Sequence, residues 1–236
     1  MDILEIRNQR LSTLLADFNI CESCKIVDRN RNRMEVGYRC PRCGAAGRGG
    51  TLYFSLSVFS LIDLMQDFYH LNQEAVSHSE DLTDQNKSDH RLAVVIFYCT
   101  LAEVLLLHFL EQCMFEMGVP NQIQERLLDD NPFVNQRVEK LFPTLTGIKW
   151  NKAVELLEEG TDLNYAETVA FSKRASIARN DFLHRGNKYA IPQDMPEQCI
   201  RHIRPLVSLF VALHNEYVAR PVGNHGLQPK GGGMKT

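Results

Sequence analysis

A chain of 236 residues with 26 basic and 29 acidic side chains, a formal net charge of −3 and 44% hydrophobic residues can build one good core plus a small appendage. That balance excludes a globally basic nucleic-acid binder and a charge-rich disordered chain, so contact with a polyanion has to come from a local patch. The opening residues, M-D-I-L-E-I-R-N-Q-R, set acids among the first apolar positions and lack the basic region, apolar run and small-residue cleavage site of a secretory signal, which predicts a cytoplasmic protein.

In chain order, Ile3, Leu4, Leu11, Leu14, Leu15 and Phe18 fall on a broken helical stripe and predict a short amphipathic helix over residues 2–18. From Cys21 to Gly50 the composition turns to Arg, Gly and Cys with few large apolar side chains, as expected of a small module held by a metal rather than by a core. The G-R-G-G at Gly47 to Gly50 marks a hinge, so residues 1–50 are expected to form an N-terminal helix and metal module, and residues 51–220 a helical domain.

Beyond the hinge the apolar period is helical throughout. A long helix is predicted from Leu52 to about Glu80, followed by a polar loop, and a second from about Asp89 to Met117, closed by Gly118 and Pro120. The second contains the apolar run Leu92 to Leu110, long enough to be weighed as a membrane span. Glu103 and His108 interrupt it, and a central acid costs roughly 2.5–3.5 kcal/mol on insertion scales. It reads instead as the central helix of a bundle, with no membrane partner. Pro120, Pro132, Pro143 and Gly147 predict one or two short helices over residues 120–147, and a further helix runs from about Lys149 to Glu159. Two long helices complete the pattern, Asn164 to about His184 and Pro196 to about Val218, and the Gly- and Pro-containing tail over residues 221–236 is expected to be disordered. The fold class is therefore mainly α: about four long helices plus short ones, preceded by a small zinc-ribbon module.

The cysteines carry the strongest chemical signal. Cys21-x-x-Cys24, fifteen intervening residues, then Cys40-x-x-Cys43 is the two-knuckle spacing of a structural Zn²⁺ site, each turn presenting two sulfurs to one tetrahedral ion. Four thiolates leave no open coordination position, so the expected role is structural and no catalytic metal is implied. Redox exchange at a C-x-x-C pair does not explain two pairs. Cys99, Cys113 and Cys199 sit in apolar helical surroundings and read as small buried hydrophobes. Among the ligands lie Lys25, Arg29, Arg31, Arg33, Arg39, Arg42 and Arg48 against Glu22, Asp28 and Glu35, so the module stays cationic even after four thiolates and one Zn²⁺ contribute minus two. Such a ribbon can grip phosphates, with Tyr38 available to stack a base; a solvated loop that merely neutralises the thiolates has the same composition.

The second constellation is R-N-D-F-L-H, Arg179 to His184, near the end of the penultimate long helix. Arg179 and His184 are five residues apart, offset by about 140° on a straight helix, so a site using both needs the helix to end or distort there, or a second chain to complete it. Asn180 and His184, four apart, share a face.

On this motif and this order of helices, the region over residues 52–218 resembles the HEPN superfamily, whose ribonuclease members carry R-x4-6-H with Asn, Asp or His often following the arginine. The resemblance implies a homodimer whose two motifs face one cleft and cut RNA without a metal, leaving 2′,3′-cyclic phosphate and 5′-hydroxyl ends. His184 would act as general base or acid, Arg179 would stabilise the phosphorane-like transition state, and Asn180 would orient His184 or the phosphate. Glu103, if buried, needs a partner: Arg179 is one candidate, a backbone group another, and exposure to solvent is the third outcome. The family also implies a toxin or defence effector and, as a further partner, an antitoxin or regulatory protein. Silencing by nucleotide transfer to a tyrosine two residues past the histidine is not implied, because that position is Gly186. The competing expectation is a non-catalytic adaptor or nucleic-acid-binding protein, with the ribbon making the contact and the helices serving dimerisation.

Overall fold

The computed structural model describes residues 10–29, 39–46, 51–77, 84–187 and 189–219. The chain is mainly helical, and among the described residues a small three-stranded sheet precedes the long helices, with the first cysteine pair in the turn between two of its strands and the second pair in a turn closed by the Arg39–Ala46 bridge. A single helical turn, α1 (Thr13–Ala16), leads into β1 (Phe18–Ile20), which pairs antiparallel with both β2 (Val27–Arg29) and β3 (Thr51–Leu52) in the order β2-β1-β3. Of the helix expected over residues 2–18, residues 1–9 lie outside the described residues, and Phe18 is a strand residue paired with Arg29. The described part of that stripe, Leu11, Leu15 and Phe18, is buried by one helical turn plus an extended segment whose Phe18 ring meets Phe54 edge-on at 5.7 Å.

Four long helices follow: α2 (Leu56–Ser77), α3 (Asp84–Glu116), α7 (Tyr165–Arg185) and α8 (Met195–Tyr217), with α4 (Asn121–Asp129) and α6 (Trp150–Glu158) between them. Residues Val134–Gln136, a π-helical turn at Arg137–Leu141, and Phe142–Thr146 form one irregular helix, α5. Leu52, expected as the first helical residue, belongs instead to β3, where Thr51 and Leu52 pair with the outer edge of β1 and delay the helix to Leu56. The π turn has a covalent cause. Pro143 has no N–H to offer the Glu139 carbonyl, and the Phe142 N–H bonds back to Arg137.

The long helices end where the sequence punctuates them. Asn164 accepts the Glu167 N–H at 2.8 Å to cap α7, and Gly186, at φ 64°, closes it with its N–H on the Phe182 carbonyl. At the end of α3 the Val119 N–H reaches Met114 and the Gly118 N–H reaches Phe115, the paired bonds of a Schellman turn. Packing then follows the apolar faces: α3 lies against α2, α7 and α8.

Among the described residues one stretch, His90–Glu116 of α3, is long and apolar enough to cross a membrane. Its Val94, Val95, Tyr98, Leu101, Leu105, Phe109 and Leu110 are each 1% exposed or less, and they form the centre of the core. Aromatic rings carry the packing outward, Phe109 onto Phe142 at 5.7 Å and Phe142 onto Trp150 at 5.0 Å, so the irregular α5 plugs one end of the bundle. The core is continuous with the sheet: Leu11, Leu15, Phe18, Val27, Tyr53 and Phe54 belong to the same apolar cluster as the buried residues of α3 and α8. The hinge at 47–50, the first residues of the expected polar loop (79–83) and the tail over residues 221–236 lie outside the described residues; the rest of that expected loop, from Asp84, is already the first turn of α3, which thus starts about five residues before the expected Asp89.

Candidate functional site

Two sites merit chemistry, the cysteine cluster and the end of α7. In the first, β1 delivers the chain to Cys21, and the turn closes by two backbone bonds, Lys25 N–H to the Cys21 carbonyl at 2.8 Å and Cys21 N–H to the Ile26 carbonyl at 2.9 Å. The second turn repeats the pattern, with Gly44 N–H to Cys40 at 2.8 Å and Cys40 N–H to Ala45 at 3.0 Å. Each knuckle needs a left-handed residue directly after its second cysteine. Gly44 adopts φ 69° freely, whereas Lys25 adopts φ 61° against its own Cβ, the one positive-φ non-glycine among the described residues.

The four sulfurs converge, all lying within 4.8 Å of one another. The closest pairs run between knuckles, Cys21 to Cys43 at 3.8 Å and Cys24 to Cys40 at 3.7 Å. A tetrahedral ion with Zn–S bonds of about 2.3 Å has edges of about 3.8 Å, which these two pairs match, so the donor set is suited to such an ion. Burial pushes the Cys24 thiol up to about 12, while the Ala45 backbone N–H helps bring Cys43 down to about 7. Four sulfurs packed this way gain from a cation that takes them all as thiolates. Of the cationic residues expected to surround the ligands, Arg39 and Arg42 are exposed at the second knuckle, and Arg31, Arg33, Arg48 and Tyr38 lie outside the described residues.

At the second site, Arg179 on α7 points to the bundle's central helix. Its Nη1–H donates to Glu103 Oε1 at 2.8 Å, and its Nε–H to Asn180 Oδ1 at 3.2 Å. The arginine side chain is 18% exposed and the glutamate 39%, so the pair sits at the protein surface with the guanidinium largely covered. Beneath it Cys99 is held as a thiol: burial pushes it up to about 12, the Arg179 charge acting the other way. His184 is exposed and its ring has no hydrogen bond to a described residue. Because α7 runs unbroken to Arg185, the offset between Arg179 and His184 persists, and the structure brings together Arg179, Asn180 and Glu103 but not His184. Asp181 instead ties down the helix end, accepting from Arg185 at 3.1 Å and Asn187 at 2.6 Å. Exposed apolar side chains lie just before and within the motif, Ile177 at 60% and Leu183 at 53%.

Sequence reasoning places His214 among surface or satisfied core histidines and does not single out Asn215. In the structure His214 is fully buried and its Nε2 lies 2.8 Å from the Lys25 carbonyl. Asn215 accepts the Val27 N–H at 2.7 Å and donates to the Val27 carbonyl at 2.8 Å. The signal was present: His214 occupies a core position of the stripe Val207, Phe210, Val211, Val218, where a polar residue needs a partner.

Fold and sites together define a mainly α protein with an N-terminal four-cysteine cluster able to hold a structural metal ion such as zinc. No protein-family model, no curated protein and no solved structure matches the chain.

Proposed function

We propose that this protein is a metal-independent endoribonuclease of HEPN type, working as a cytoplasmic homodimer, with a zinc ribbon of Cys21, Cys24, Cys40 and Cys43 that is structural. The observation that carries the reading is the state of Arg179. Glu103 and Asn180 hold it, while an exposed histidine stands on the same helix within the R-N-x-x-x-H pattern of that family. A guanidinium has five N–H donors, so two such bonds fix its plane and leave three for phosphate oxygens.

In this reading His184 takes the proton of the 2′-hydroxyl or returns one to the departing 5′-oxygen, and the two histidines of a dimer divide those tasks. Arg179 stabilises the charge that builds on the pentacoordinate phosphorus, and Asn180 keeps the guanidinium facing the cleft. Ile177 and Leu183 supply apolar surface for a second copy beside the motif, which the offset of about 140° within one chain makes necessary. A toxin or defence role, with a protein that restrains the activity, follows from the family resemblance.

A non-catalytic adaptor is the second reading, favoured by the separation of His184 from Arg179 within one chain. Purified protein incubated with total RNA and tRNA in excess EDTA separates them. The enzyme reading expects cyclic-phosphate ends from the wild type and none from His184→Ala or Arg179→Ala. Intact RNA from folded, dimeric protein, repeated after zinc is restored, would favour the adaptor.

A further inference from the structure

The two knuckles are alike in backbone but not in surroundings. Among the described residues the second makes its bonds within itself, such as Arg39 Nη1–H to the Gly44 carbonyl at 3.2 Å, and it presents Pro41, Arg42 and Gly44 to solvent. The first is seized by a helix from the far end of the chain. His214 and Asn215, on the last turns of α8, are 188 or 189 residues away from the Lys25 and Val27 groups they bind.

Three features make this grip specific. A carbonyl only accepts, so the Lys25 contact fixes the His214 tautomer with its proton on Nε2. Tyr53 lies edge-on to the ring, centroids 4.7 Å apart, and holds its plane. Asn215 reads both the N–H and the carbonyl of Val27, which is 2% exposed, so the strand leaving the knuckle cannot slide along the helix. The group held by His214 is the carbonyl of Lys25, the residue in the left-handed conformation that the turn around Cys21 and Cys24 demands. A non-glycine residue in that region needs surrounding structure to keep it there. The second knuckle, with Gly44 in the equivalent place, has no such need.

We propose that His214 and Asn215 are positioning residues of the four-cysteine metal centre: they hold the first knuckle in its ligand-ready shape, and the bound knuckle in turn orders the last turns of α8. The grip is an outer support of the kind that metal sites usually draw from their own neighbourhood, here supplied by the helical bundle. The proposal rests on the zinc reading and is independent of ribonuclease activity.

The test uses the full-length, zinc-loaded protein and no RNA. Zinc affinity is measured by competition with a chromophoric chelator for the wild type, Asn215→Ala, Asn215→Asp and a core control, Val154→Ala on α6. We expect Asn215→Ala to weaken zinc binding at least 10-fold, within the range seen when outer supports of metal sites are removed. Asn215→Asp, which keeps the acceptor for Val27 and loses the donor, should fall between it and the wild type, and Val154→Ala should stay within two-fold. Asn215 is only partly buried, unlike His214, so its variants are expected to fold even where His214→Ala does not. Hydrogen exchange of the wild type before and after zinc is stripped gives the reciprocal reading, with exchange in residues 210–217 expected to accelerate at least 10-fold. An Asn215→Ala affinity within two-fold of the wild type, or unchanged protection of α8 on stripping, would overturn the coupling. A protein that takes up no zinc would overturn it at its root.

Discussion

Arg179 and Glu103 meet at a half-covered surface, where a single ion pair adds little to stability and its main effect is to fix direction. Glu103→Ala is therefore expected to leave helix content and melting behaviour nearly unchanged while lowering RNA cleavage about 10- to 100-fold, because a loosened guanidinium no longer meets the phosphate in register. Single-turnover cleavage beside circular dichroism checks this, and equal turnover by the variant would remove Glu103 from the site. His214 makes the opposite kind of prediction, on stability. Burial is the largest influence depressing its pKa, to about 4, with His108 and Lys25 adding repulsion and Glu116 and the Lys25 carbonyl opposing. An unfolded histidine titrates near 6.5, so between 6.5 and 4 the unfolded chain binds a proton that the folded chain refuses. Stability is then fully present above about 6.5 and declines as pH falls. Denaturant titrations at pH 7 and pH 5 should differ by about 2 kcal/mol from this residue alone, and His214→Gln should flatten the difference.

The elements show what a sequence reveals and what it hides. The four long helices were legible because their apolar faces repeat for several turns, Gly118 closes α3 as expected, and α7 begins and ends close to the expected Asn164 and His184. The cysteine cluster was legible because coordination chemistry fixes its spacing. Strands of two or three residues were not legible: Phe18 and Leu52 owe their extended conformation to each other's neighbourhood through β1, a contact between segments more than thirty residues apart. The hold of Asn215 on Val27 was hidden for the same reason, since nothing local to either residue implies the other. On α7 the exposed Ile177 and Leu183 make a separate prediction. Leu183→Asp adds a charge to solvent at no cost to the monomer's core, so it should keep helix content yet shift the protein from dimer to monomer in sedimentation. A dimer that persists would place the interface elsewhere.

At the scale of the whole molecule, sheet and bundle share one core, so zinc removal and heating should act on the same cooperative unit. Chelation is expected to lower the melting midpoint by about 10 °C or more, with near-ultraviolet dichroism and helix signal lost together. Two separated transitions would instead describe a metal module that melts alone. The contact between His214 and the Lys25 carbonyl also bears on how such a chain can be rebuilt by genetic fusion. A shuffled gene that replaced everything before residue 51 would take away the Phe18 ring from Phe54 and leave a buried imidazole without its carbonyl acceptor. Any substitute module would have to bring its own counterpart of Phe18 and a carbonyl placed as that of Lys25 is, so the cysteine segment is built into the bundle's packing and is not an interchangeable cassette.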